Sequence, residues 1–301
     1  MVTTKTLTLK DWVIATRPWS FPASAMPVLS TLFILWGAKQ TDINWLLGIM
    51  AVVNIVIVHA AGNVWSDVHD YKRGVDREDT YGVKTLTEGL FTPSQLLKLS
   101  IGLQIVAVLM GIGLVLLTGL PLLWIGLAGI CLSLLYPPLK YMALGDVVIM
   151  LCYAFLPMIG TSFIITGTIH WDVLWYAPPI GLITVGILHA NNTRDIETDG
   201  RAGIKTFSML TGRAAAAIIY CFEVLFPYLW MLAICLFSLA PWFALLTWLT
   251  LPIAIKNAKI MMSYKKQGIN GIAMLDEATA KLQLAFSFPL IIGLVISHFV
   301  A

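Results

Sequence analysis

This 301-residue sequence predicts an all-α fold, a polytopic transmembrane bundle of nine spanning helices. Three observations predict it. First, 58% of the residues are hydrophobic and only 12% charged, where a soluble domain carries about 25% charged residues; water would not keep such a chain dispersed, whereas lipid can cover it. Second, the apolar residues fall into runs near the length, about 20 residues, that a helix needs to cross the bilayer. Third, the connections between runs alternate between short and long, and the basic residues keep to the long ones. The net charge of +3 is spread without a long basic run, which excludes nucleic acid as a partner. Cys131, Cys152, Cys221 and Cys235 sit singly in apolar stretches without CxxC spacing and read as small packing residues rather than disulfides or metal ligands.

In chain order, Leu7, Leu9, Trp12, Val13 and Ala15 form an apolar stripe among Lys5, Lys10 and Asp11. This predicts a short interfacial helix ending at Arg17-Pro18, with no cleavable signal pattern. The predicted spans are 21–37, 44–65, 96–118, 121–137, 146–167, 173–192, 214–238, 241–256 and 282–300. Odd-numbered spans are followed by short links, and even-numbered spans by the charged stretches 66–95, 138–145, 193–213 and 257–281. Of 19 Lys and Arg, 18 lie in the N-terminus, the even loops or the helix ends beside them, and Lys39 alone lies opposite. The positive-inside rule then puts those loops in the cytoplasm and the C-terminus outside. No linker divides 1–301, which reads as a single transmembrane domain behind its N-terminal interfacial segment.

Two of the predicted cytoplasmic helix ends are dense in carboxylates. The first reads His59-Ala-Ala-Gly-Asn63-Val-Trp-Ser-Asp67-Val-His-Asp70, running on to Gly74-Val-Asp76. The second reads His189-Ala-Asn191-Asn192-Thr-Arg194-Asp195-Ile-Glu197-Thr-Asp199-Gly-Arg201. At about 100° per residue, Asn63, Asp67 and Asp70 share a helical face, as do Asn191, Asp195 and Asp199 with some drift. Four crossings separate the clusters, so both lie on one side. Two opposed groups of hard oxygen ligands suit Mg²⁺ held jointly with substrate phosphates. Without cations between them the carboxylates would repel.

The pattern N-x-x-x-D-x-x-D with G-V-D, and N-N-x-R-D-x-x-x-D with G-x-K-T at Gly203 to Thr206, resembles the UbiA-type prenyltransferases over the whole chain. Within that superfamily the second motif most resembles the 1,4-dihydroxy-2-naphthoate prenyltransferases of menaquinone synthesis. Tyr136-Pro137-Pro138-Leu139-Lys140-Tyr141 and Leu144-Gly145-Asp146 add to the match. Two departures stand out. Ser66 takes the place of a frequent Asn, and Lys84-Thr85-Leu86-Thr87-Glu88-Gly89 replaces a more usual Arg-containing version.

The resemblance implies that a polyprenyl diphosphate ionises and that an aromatic acceptor attacks the allylic cation, with two Mg²⁺ bridged by the diphosphate. It implies that Asp67, Asp70, Asp195 and Asp199 hold the metal, with Asn63, Asn191 and Asn192 in support. Tyr136 and Lys140, then Lys84, Arg201 and Lys205, are the expected diphosphate grip. Arg17, His59 and His189 are the acceptor-binding candidates, each with a plainer reading beside it: an interfacial anchor for Arg17, and buried hydrogen-bonded imidazoles for the histidines. Asp76 either supports the first cluster or orders the Gly74 turn, and Asp146 is either a helix N-cap or a ligand. Glu223, alone in its span, is either functional or paired with a polar group on another helix. The expected location is a bacterial inner membrane, with lipid around the bundle.

Outside prenyl transfer to a naphthoate, the alternatives are another quinone-ring acceptor such as 4-hydroxybenzoate, or a transporter or channel. Against transport, the carboxylates gather at one surface and do not continue across. The Asp-Gly-x-x-Ala-Arg opening of the intramembrane phosphatidyltransferases is absent. A single-cysteine accessibility map tests the topology: positions in 66–95 and 193–213 should react from the same face, and positions after Phe299 from the other. Labelling of the two loops from opposite faces would separate the acidic clusters and end the shared-site reading.

Overall fold

The computed structural model describes residues 7–39, 42–77, 80–81 and 84–300. Among them, nine helices are long and apolar enough to cross a membrane: Pro18–Gly37, Trp45–Arg73, Pro93–Thr118, Pro121–Lys140, Gly145–Thr166, Trp171–Arg194, Arg213–Leu236, Trp242–Ile272 and Leu275–Val300. The only β-type pairing among the described residues is an isolated parallel bridge between Met142 and Lys205. The even-numbered loops meet on one side, where the Lys205 amide donates to the Tyr141 carbonyl at 3.0 Å and the Tyr81 hydroxyl to Asn270 Oδ1 at 3.2 Å. On the other side the Asn44 amide donates to Ile165 at 2.8 Å, and the His298 ring stacks on Trp36 at 4.0 Å.

Several helices outrun the apolar stretches that announced them. The second span continues to Arg73 and stops at Gly74, whose φ of +73° closes the C-terminus in the left-handed region that glycine tolerates. Asn63, Asp67 and Asp70 are therefore on regular helix. The fourth span continues through Pro137 and Pro138 to Lys140. The ninth begins at Leu275, seven residues before the apolar run, with Asp276 and Glu277 in its first turn, where carboxylates favour the helix dipole. The eighth starts as a 3-10 segment, Trp242–Thr250, before turning α-helical.

Inside the fifth span, Leu151–Phe155 forms a π-helical turn in which the Leu156 amide donates to the Leu151 carbonyl, five residues back. The cause lies two residues on. Pro157 has no N–H and its ring would crowd the preceding turn of an α-helix, so the wider turn makes room.

The N-terminal helix, Leu9–Ala15, begins with a capping box between Thr8 and Asp11. Its predicted stripe divides in two. Leu7, Trp12 and Ala15 pack with Val64, Val68, Leu86, Phe91 and Leu96, while Leu9 and Val13 face outward. The helix is thus pinned onto the second and third spans as well as offering a face to lipid. It ends at Arg17, which holds φ 56° and ψ 59°, an unusual left-handed conformation for a branched cation.

Small residues set the closest approaches. Gly293 on the ninth span lies so near the Phe243 backbone of the eighth that a Cβ there would overlap the Phe243 carbonyl group. Gly113, on the third span, has open space where its Cβ would be. Gly293→Ala should destabilise the folded protein by on the order of 1–3 kcal/mol, because backbone cannot yield as a side chain would. Gly113→Ala should be neutral or slightly stabilising. Thermal unfolding of both variants in detergent checks this, and equal melting temperatures would contradict the packing described.

Candidate active site

A cavity of about 620 Å³ opens among the first to sixth spans and the start of the ninth. Its inner wall is apolar and includes Val28, Ile55, Ala107, Leu114, Leu122, Ile130, Leu156 and Ile164. Its mouth is charged: Asp70, Asp76, Asp195, Asp199, Asp276 and Glu277 line it together with Arg17, Lys140 and Arg194. Both acidic motifs therefore reach one space, at one end of an apolar pocket.

In the first motif, Asp67 accepts from Arg17 Nη2 at 2.5 Å, is only 3% exposed, and its Oδ2 has no partner. Asp67 is not itself among the cavity-lining residues. The left-handed turn at Arg17 brings the guanidinium back onto the second span. Burial works against its charge, but Asp67, Asp76 and Asp70 together hold it above its ordinary value. Asp70 is more fully satisfied: it accepts from Lys140 Nζ at 3.1 Å, the Tyr141 hydroxyl at 2.6 Å and Ser66 Oγ at 3.4 Å. Ser66 is thus a hydrogen-bond donor to Asp70. Asn63 Nδ2 donates to the Thr16 carbonyl and to Ser20 Oγ, each at 3.0 Å.

In the second motif the sixth span ends at Arg194, and Asp195 joins it to the short helix Ile196–Arg201. The bend keeps helical hydrogen bonding, with Asp195 N–H to Asn191 at 3.0 Å and Asp199 N–H to Asp195 at 2.8 Å. Arg194 organises this end. It donates twice to Asp195 at 2.8 Å, to Asp276 at 3.0 Å, to the Ala273 carbonyl at 2.9 Å and to Asn191 Oδ1, with the Tyr81 ring 4.8 Å away. Asn192 is buried and lines the cavity beside Asn191.

The remaining candidates divide by position. Tyr136 lines the cavity beside Lys140, whereas Lys84, Arg201 and Lys205 are not among its lining residues. His59 lines it, with Nδ1 2.9 Å from Ser24 Oγ, Nε2 3.4 Å from Ser20 Oγ and the Tyr153 ring edge-on. His189 is buried elsewhere, between Glu223 at 3.1 Å and Asp146 at 3.4 Å, so it does not meet a cavity guest. Glu223 is thereby paired with a polar group on another helix. Asp146 caps nothing: the N-cap of its helix is Leu144, without a side-chain cap. Asp76 faces the cavity. Tyr81, Tyr153, Asp276 and Glu277 also line the cavity without having stood out in the sequence, where the acidic pair was a signal for two of them, and Arg194 stood in the second motif without an assigned role.

The two clusters influence each other. Burial raises the Asp76 carboxyl to about 6, with Asp70 adding to it. Burial likewise raises Asp199 to about 7, partly offset by Lys140, with Asp195, Asp70 and Asp76 pushing it further. The mouth thus holds more carboxylate than cation, and one buried oxygen, Asp67 Oδ2, has no partner. A hard oxygen-rich set with surplus negative charge fits a divalent cation of the Mg²⁺ type.

A helical membrane bundle with paired acidic motifs at the head of an apolar cavity defines a class of membrane-embedded enzyme acting on a polar-headed apolar substrate. The UbiA prenyltransferase family profile matches residues 27–296. The chain belongs to that family, whose members transfer prenyl groups, and this decides against the transport reading. It is 31% identical to the chicken UbiA prenyltransferase domain-containing protein 1 over 294 residues, covering 95% of this chain and 85% of the relative. The human protein of that name is also 31% identical, with 95% and 84% covered. These animal relatives lend no support to a bacterial membrane in particular. Among solved structures, a UbiA homologue from Aeropyrum pernix K1 superposes with TM-score 0.68 at 14% identity, covering 96% of this chain and 98% of that one. One from Archaeoglobus fulgidus, bound to GPP and Mg²⁺, gives 0.62 at 14% identity, with 93% and 99% covered. At such identities the likeness is one of fold.

The raised Asp199 has a consequence for stability. Between its unfolded value of 3.8 and about 7, the folded chain keeps a proton that the unfolded chain has lost. Stability therefore falls as pH rises through that window. Without divalent cations, Asp199→Asn should stabilise the protein at pH 8, by on the order of 1–4 kcal/mol, and leave it unchanged below about pH 4. Melting temperatures in detergent with chelator check this; a variant less stable than wild type at pH 8 would contradict the repulsion.

Proposed function

We propose that this protein transfers a polyprenyl group from an isoprenoid diphosphate to 1,4-dihydroxy-2-naphthoate, with loss of carbon dioxide and release of diphosphate, giving the quinol form of a demethylmenaquinone. The observation that carries the transfer reading is the meeting of two acidic motifs at the polar end of one apolar cavity. A polyprenyl diphosphate has that same division, a dianionic or trianionic head on an apolar tail. The naphthoate rests on the likeness of the second motif, with Gly203 to Thr206 and Tyr136 to Lys140, to the naphthoate prenyltransferases.

In this reading Asp67, Asp70, Asp195 and Asp199 hold Mg²⁺, supported by Asn63, Asn191 and Asn192. Bound Mg²⁺ supplies positive charge against that developing on the departing diphosphate. Lys140, which pairs with Asp70 and lines the cavity beside Tyr136, would join the Tyr136 hydroxyl in holding the diphosphate. The allylic C–O bond breaks with its electron pair passing to the diphosphate. The ring carbon bearing the carboxylate then forms the new C–C bond, and carbon dioxide leaves as the ring recovers its aromatic electrons. Arg17 and His59, both at the cavity wall, orient the acceptor. The apolar wall excludes water, which would otherwise trap the cation. By the distribution of Lys and Arg, the mouth opens to the cytoplasm.

Purified protein given a prenyl diphosphate and Mg²⁺ should convert 1,4-dihydroxy-2-naphthoate to carbon dioxide and a prenylated naphthoquinol, read by mass spectrometry, and leave 4-hydroxybenzoate unreacted. Chelator should abolish turnover and Mg²⁺ restore it. Asp70→Ala and Asp195→Ala should each lower the rate by on the order of 100-fold or more. Turnover of 4-hydroxybenzoate alone would replace the acceptor and leave the transfer reading intact. Full activity in chelator would overturn the metal-based mechanism.

A further inference from the structure

The geometry points to a second cation site, for one transition-metal dication of the zinc class, formed by Asp146, His189 and Glu223. These residues come from the fifth, sixth and seventh spans, and none of them lines the substrate cavity. One ligand atom from each lies within 4.8 Å of the other two. His189 Nδ1 is 3.1 Å from Glu223 Oε1 and 3.4 Å from Asp146 Oδ2. Metal–ligand bonds of about 2.0–2.2 Å in a tetrahedron set neighbouring ligand atoms about 3.4 Å apart, so both contacts of His189 stand at ligand spacing and the two carboxylates lie within 4.8 Å of each other.

The second observation is what the protein leaves unanswered. His189 is 0% and Glu223 4% exposed. One imidazole nitrogen facing two carboxylates carries at most one proton, which serves one of them. Only the contact to Glu223 is a hydrogen bond. Glu223 Oε2 and Asp146 Oδ1 are buried without partners. Carboxylate oxygens left without partners in so apolar a place are costly. A dication touching all three ligand atoms removes the deficit. Imidazole nitrogen selects a transition metal over Mg²⁺, which keeps to oxygen. Three protein ligands leave a fourth position for the second oxygen of a carboxylate or for water. The ion would tie together three spans just behind the second acidic motif, two residues before Asn191.

Co²⁺ is the probe. Full-length protein, stripped of metal and held in excess Mg²⁺ so that the oxygen-rich mouth is occupied, should take up one equivalent of Co²⁺ with the intense visible bands of a four-coordinate ion. The spectrum should persist in Asp70→Asn and be lost in Glu223→Gln and in His189→Gln. A wild-type protein that shows only the weak spectrum of six-coordinate Co²⁺ overturns the site, as does a four-coordinate spectrum surviving in both variants. Where a variant fails to fold, X-ray absorption on the Zn²⁺-loaded wild type decides: imidazole scattering supports the site, and an oxygen-only shell overturns it. None of these readouts depends on the acceptor or on prenyl transfer.

Discussion

Like charges brought together at the edge of an apolar medium repel, and the architecture of the cavity mouth follows from how that repulsion is contained. Six carboxylates line the mouth against three basic side chains. Each base bridges elements: Arg17 joins the N-terminal turn to the second span, Lys140 the fourth span to the second, and Arg194 the sixth span to the ninth. A buried pair of this kind contributes modestly to stability, whereas losing one partner strands a charge at a cost of about 3–5 kcal/mol. The helix ends that carry the motifs are therefore held by electrostatics as much as by packing. Surplus negative charge at their meeting point is the condition under which a dication is welcome.

The helical architecture was legible in the sequence because hydropathy reports the solvent directly, and the bilayer is a demanding one. Helix ends were less legible for the same reason. Hydropathy stops at the first charges, but backbone hydrogen bonding does not, so Asp67, Asp70, Lys140 and Asp276 fell outside the apolar runs and yet lie on helix. The acidic motifs were visible as spacing. Which side chain pairs with which was not, because ion pairs such as Lys140 with Asp70 join residues 70 positions apart. His59 and His189 illustrate the limit. In sequence each precedes an asparagine-containing acidic motif by one turn or less; in the fold one meets serines at the cavity wall and the other two carboxylates behind it. No local pattern separates those fates.

Two backbone irregularities border the same cavity. The left-handed Arg17 aims a cation at the second span, and the π-helical turn presents Cys152 and Tyr153 to the cavity. Departures from regular geometry of this sort persist where surrounding contacts over-determine them. Here the determining contacts are the Asp67 carboxylate for one and Pro157 for the other.

The third and fourth spans are the most thinly covered part of the bundle, and both contribute residues to the cavity wall. Ile112 and Leu127 both line it, and they remain 47% and 43% exposed. For a guest with a long hydrocarbon chain, the acyl region of the bilayer is then continuous with the pocket. Such a guest enters and leaves sideways without wetting its chain, so exchange is governed by two-dimensional diffusion and by lipid order instead of aqueous solubility. The thickness and fluidity of the host membrane thereby become part of the binding equilibrium.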